Sequence, residues 1–137
     1  MPGSLIHQLS GVLMKRRFAV VGAVAAGLFV LSSGNAWAGT NIISVYTTDS
    51  SPGGLGSFVA NGDLTQVCDA QADGYAAVAY LRRWDGPLWK TVVANGGSGT
   101  CKSESIDIPE GERLTLTICL RKDNKDSFCR TKGGGVA

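Results

Sequence analysis

Leu114, Leu116, Ile118 and Leu120 alternate with Thr115, Thr117, Cys119 and Arg121. That is the period of a strand with one buried face. Residues 42–48 are rich in β-branched side chains and predict a first strand, with Ile42, Ile43, Val45 and Tyr46 as core material. Residues 57–60 and 64–68 flank Asn61-Gly62-Asp63, a hairpin signal. Further strands are predicted over 75–84, 88–94, 100–108 (Ile106 and Ile108 on one face), 114–121 and, briefly, 127–131. Glycine, proline and aspartate punctuate them, with a loop at 49–54 and turns at 73–74, 85–87, 95–99 and 109–111. No ten-residue run beyond position 38 has a helical period. The pattern predicts an all-β chain, a small antiparallel β-sandwich or open barrel of 7–8 strands. It forms one domain over residues 39–137 that frays at Gly133–Ala137.

The first 38 residues break this pattern. Lys15, Arg16 and Arg17 precede an uncharged apolar run over 18–31, and a small polar stretch then ends in Ala36-Trp37-Ala38. These are the three parts of a secretory signal. The apolar run is shorter than the roughly 20 residues a bilayer span needs. Cleavage after Ala38 is therefore expected, giving an extracellular product with no membrane anchor. Phe18 directly after the arginines fits ordinary Sec export better than the twin-arginine route. A leader of usual length would begin at Met14, an alternative start that would exclude His7, the sole histidine.

Removing the leader changes the charge. The whole chain has 13 basic and 11 acidic side chains, but three of the basic ones are Lys15, Arg16 and Arg17, so residues 39–137 carry a net charge of −1. That balance predicts neither nucleic acid nor membrane lipid as a partner. All four cysteines, Cys68, Cys101, Cys119 and Cys129, lie beyond the leader. An even number in a short exported chain reads as a disulfide framework. Of the three possible connectivities, Cys68–Cys101 with Cys119–Cys129 is favoured, the second closing a short polar loop.

Catalytic chemistry finds little footing. Without His7 there is no Ser–His or Cys–His couple and no imidazole for a metal, and oxidised cysteines are not nucleophiles. The wide cysteine spacing does not match a zinc site. Counting from Asp69, the stretch Asp69–Gly74 lacks the closing carboxylate of a calcium loop and reads as a turn. No enzyme activity, metal or cofactor is expected. The hairpin Trp84-Asp85-Gly86-Pro87-Leu88-Trp89 is the most suggestive feature. It holds both tryptophans of residues 39–137, flanked by Arg82, Arg83 and Lys90. Trp and Arg dominate binding hot spots, and two Trp can equally cap the end of a core.

Several short segments carry a resemblance. They are Gly53-Gly54 with Phe58, Gly62-Asp63, Val67-Cys68-Asp69, Ala72-Asp73-Gly74, Gly96-Gly97-Ser98-Gly99-Thr100-Cys101, Glu110-Gly111-Glu112 and the Cys119 to Cys129 pair. Together they span nearly all of residues 39–137, which resemble the small secreted two-disulfide β-sandwich proteins of Streptomyces and related actinobacteria. The resemblance implies a fold and an extracellular location more than an activity. Some small exported actinobacterial proteins serve as adaptor subunits of umbrella-shaped toxin particles, a more distant expectation. The small amylase inhibitors of Streptomyces share the size and disulfide count. Their Trp-Arg-Tyr turn is replaced here by Arg82-Arg83-Trp84, which departs from that motif. The expected function is a secreted, non-enzymatic protein-binding module, with a subunit of an extracellular antagonistic assembly as its finer form, whose partner is another secreted protein. The alternative is an inhibitor of a secreted hydrolase.

Overall fold

The computed structural model describes residues 38–137. The leader features assigned to residues 1–37, His7 among them, lie outside the described residues. The strands are β1 (Ile42–Tyr46), β2 (Gly54–Val59), β3 (Leu64–Asp69), β4 (Ala76–Arg83), β5 (Leu88–Ala94), β6 (Cys101–Ser105), β7 (Arg113–Lys122) and β8 (Lys125–Val136). They build two antiparallel four-stranded sheets, a first in the order β1-β2-β3-β6 and a second in the order β5-β4-β7-β8. The all-β sandwich agrees with the alternation in the sequence. Both disulfides are closed in the favoured pairing, Cys68–Cys101 and Cys119–Cys129. Each links neighbouring strands of one sheet: Cys68 and Cys101 are register partners on β3 and β6.

The core lies between the sheets. Leu114, Leu116, Ile118 and Leu120 of β7 are all buried, with Ala77, Ala79 and Leu81 of β4 beside them. Phe58 and Val67 of the first sheet belong to the same cluster. The β2 positions facing inward with Phe58 are Gly54 and Gly56, so the backbone itself receives the large β7 side chains. A Cβ on Gly56 would overlap Ile118, lying 2.7 Å from its Cγ1 and closer still to its Cδ1.

The two seams of the sandwich are closed differently. At one, the residues flanking β1 bond to β8: Thr40 N donates to Val136 O (2.8 Å), Val136 N to Thr40 O (3.0 Å), and Thr48 N to Phe128 O (3.0 Å). At the other, Lys90 of β5 reaches Glu104 of β6 across the gap (Nζ–Oε2 2.5 Å). An inward-turned ion pair there leaves the two edge strands poor templates for further pairing.

Three local expectations are overturned. Ile43 and Tyr46 are 58% and 45% exposed, not core. Ser44 takes a left-handed φ of 56°, and the β1–β2 register shifts between Ile42 and Val45. That bulge converts a spacing of two into a spacing of three, so Ile42 and Val45 face inward instead. Secondly, Gly133–Ala137 is no frayed tail. β8 runs to Val136, and Ala137 is buried, its N–H donating to Glu112 O and its carbonyl accepting from Gly111 N. The glycines there are sites of close approach: a Cβ on Gly135 would sit 2.7 Å from Ile42 Cδ1. Finally, β2 begins at Gly54 rather than at residue 57, and β6 ends at Ser105 rather than at residue 108.

Candidate functional site

β4 sets out the site by alternation. Its inward residues Ala77, Ala79 and Leu81 leave Tyr80 and Arg82 on the outer face of the second sheet, and Trp84 continues that row past the strand end. Trp84 N donates to Arg113 O (2.8 Å), which holds the start of the turn against β7. The indole is 52% exposed yet seated. Its six-membered ring lies over Gly133, where a Cβ would come within 2.6 Å of Cζ3, and the Arg113 guanidinium is 4.8 Å from the ring centroid. Glycine at position 133 is what lets the ring lie against the strand.

Further along the face, Tyr80 has the guanidinium groups of Arg82 and Arg121 each 5.8 Å from its ring centroid. Its hydroxyl donates to Asp126 and accepts from Arg121. Arg121 also donates through Nε to Asp126 (2.7 Å). Burial, then the hydrogen bond to Asp126, raise the Tyr80 pKa above the usual phenol value. The Arg121 hydrogen bond holds Asp126 below the usual carboxylate range, against a smaller opposing effect of burial.

The five sequence-flagged residues thus divide. Arg82 and Trp84 share the outer face. Arg83 points to the end of the sheet, where Nε meets Glu112 (2.7 Å) and more loosely Asp85 (3.8 Å). With Trp84, Gly111 and Arg113 these residues line a shallow open depression of about 320 Å³. Trp89 turns away: the β4–β5 register shifts between Leu81 and Arg82, making Trp89 the extra residue, and its ring packs against the core. Its Nε1 is buried with no partner among the described residues. Lys90 is spent on Glu104 at the seam, and the hydrogen bond from Lys90 is the main cause of a lowered Glu104 pKa. The structure adds Tyr80, Arg113 and Arg121 to the face. Their positions follow from period-two counting along β4 and β7, but which strands are neighbours could not be read that way.

Charge is sorted by sheet. Strands of the second sheet carry nine of the ten basic side chains of residues 39–137: two on β4, one on β5, and three each on β7 and β8. Their only acid is Asp126. In the first sheet the strands hold Lys102 against Asp69 and Glu104, and the other eight acids lie in connections. A net charge of −1 conceals a strongly cationic sheet. Arg82, Arg113, Lys122, Lys125, Arg130 and Lys132 form no ion pair among the described residues.

Other chemistry is sparse. No cysteine is free. No three His, Cys, Asp or Glu side chains cluster closely enough to hold a metal ion among the described residues. Asp69 and Asp73 accept hydrogen bonds from the backbone N–H two residues on, Gln71 at 3.0 Å and Tyr75 at 2.9 Å, the turn role expected of them. No helix among the described residues is long and apolar enough to cross a membrane. The chain matches no protein-family model, no curated protein and no solved structure.

Proposed function

We propose that the chain is a secreted, non-enzymatic protein-binding module that presents the outer face of the second sheet, with Trp84 as its anchor. Trp84 carries this reading: it is half exposed while its ring is held by Gly133 and Arg113. An aromatic already fixed before binding loses little conformational freedom on association. Trp and Arg are among the residues most often found to dominate interface energy. Export is supported by the leader pattern over 1–38 together with two closed disulfides.

The test is capture from the producer's culture fluid by tagged protein comprising residues 39–137, wild type against Trp84→Ala. The expected outcome is a reproducible protein partner retained by the wild type and lost by the variant. Thermal stability should fall far less than on loss of a buried tryptophan, because about half of Trp84 already meets water. Equal capture by both proteins would refute the assignment of Trp84.

A further inference from the structure

We propose that the partner of this face is an acidic protein surface, recognised by Arg82 and Arg113 beside Trp84; the inference rests on the protein-binding reading above and names the chemistry of what is bound. The first observation is the sorting of charge. The second sheet holds nine basic side chains and one acid on its strands, while the whole domain is slightly acidic. Composition does not require such sorting; Lys90 and Lys132 reach the seams and Arg83 the end of the sheet, so the outer face itself offers Arg82 and Arg113 within a sheet whose overall field favours negative charge.

The second observation is which cations are free. Arg83, Lys90 and Arg121 are neutralised by Glu112, Glu104 and Asp126. Arg82 and Arg113 are not; each rests instead near an aromatic ring, Tyr80 and Trp84 respectively. A ring beneath a guanidinium restrains its position while leaving its N–H donors available, the arrangement suited to paired bonds with a carboxylate. The exposed indole supplies the apolar contact that a charge-only surface lacks.

The third observation decides between classes of polyanion. Acids stand at both ends of the sheet: Asp85 and Glu110 beyond the Trp84 end, where Glu112 is paired with Arg83, and Asp123 at the other, where Asp126 is paired with Arg121. β7, which runs between these ends, is ten residues, or roughly 34 Å at about 3.4 Å per residue. A nucleic acid or other long polyanion laid along the strands would run into Asp85 and Glu110 at the Trp84 end. A compact acidic patch of a folded protein meets Arg82 and Arg113 without reaching past that rim, which then penalises misplacement.

Fluorescence anisotropy tests this on protein comprising residues 39–137. The probes are a fluorescein-labelled peptide of alternating Glu and Leu and a single-stranded DNA of matching charge. The peptide should bind, should weaken as salt rises, and should bind better than the DNA. Arg82→Glu and Arg113→Glu should each weaken it by roughly tenfold, and Lys102→Glu on the first sheet should leave it unchanged. Unaltered melting temperatures establish that these surface variants are folded. Three results would overturn the proposal: no peptide binding at low salt, equal loss from Lys102→Glu, or tighter binding of the DNA. If capture of the natural partner still depends on Trp84 while the arginine reversals have no effect on it, the protein-binding reading stands and the acidic partner falls.

Discussion

Gly56→Ala adds one methyl group where the β2 backbone receives the Ile118 side chain of β7. The new Cβ would overlap Ile118, 2.7 Å from Cγ1 and nearer to Cδ1, with the Gln66 carbonyl oxygen at 3.2 Å on the other side. Ile118 is fully buried, and Gln66 O is backbone, so neither neighbour can yield freely. Overpacking of this kind costs about 1–3 kcal/mol, and the close contacts place this case near the middle or top. At about 4–8 °C per kcal/mol for a domain of this size, the melting temperature should fall by roughly 10–15 °C. Ile118→Val removes Cδ1 and by itself should cost about 1 kcal/mol. In Gly56→Ala/Ile118→Val the methyl enters the space vacated, so the double variant should be more stable than the sum of the singles by at least about 1 kcal/mol. Urea unfolding of the four proteins measures that coupling. Gly62→Ala is the control: Gly62 has φ +88° and nothing within 4 Å of the added methyl, so its loss of about 1 kcal/mol is conformational and should not be relieved by Ile118→Val. Simple additivity of Gly56→Ala and Ile118→Val would refute the close contact between β2 and β7 at this position.

The two tryptophans should behave oppositely in melting experiments. Trp89→Ala empties packed volume and should cost about 3–5 kcal/mol, against about 1 kcal/mol for Trp84→Ala; equal losses would contradict the different seating of the two rings. Replacing Cys68 and Cys101 with Ala should destabilise more than replacing Cys119 and Cys129, because the closed segments are 33 and 10 residues. Loop entropy gives about 3.7 and 2.7 kcal/mol respectively, to be read from denaturant midpoints. The Tyr80–Arg121–Asp126 cluster predicts pH dependence on both sides of neutrality. Asp126, with its lowered pKa, contributes stability that is present at neutral pH and lost as pH falls below about 4. Tyr80, with its raised pKa, contributes stability that is intact below about pH 10 and lost above it. Asp126→Asn should flatten the acid limb of a melting-temperature profile and Tyr80→Phe the alkaline limb.

Much of the architecture was legible in residue order, because a strand with one wet face records its orientation at every second position. Leu114 to Leu120 show it: all four apolar members are buried in the sandwich. The disulfide pairing was readable as well, since Cys119 and Cys129 flank a short polar turn that brings neighbouring strands together. Where alternation slips, the reading failed. The bulge at Ser44 puts Ile43 and Tyr46 in water, although nothing in their chemistry distinguishes them from Ile42 and Val45. Glycine was ambiguous for a related reason. Gly133-Gly134-Gly135 has the composition of a loose end, yet Gly133 and Gly135 lie beneath Trp84 and Ile42, residues far away in the chain. The same limit applies to the site. Trp84, Arg82 and the hairpin between β4 and β5 belong to one local segment and stood out in the sequence. Only the tertiary structure decided that Trp89 and Lys90 face inward, that Arg113 joins Trp84, and that nearly every cation stands on one sheet. Net charge is a property of composition, whereas the placement of charge depends on which strands become neighbours, and long-range pairing alone settles that.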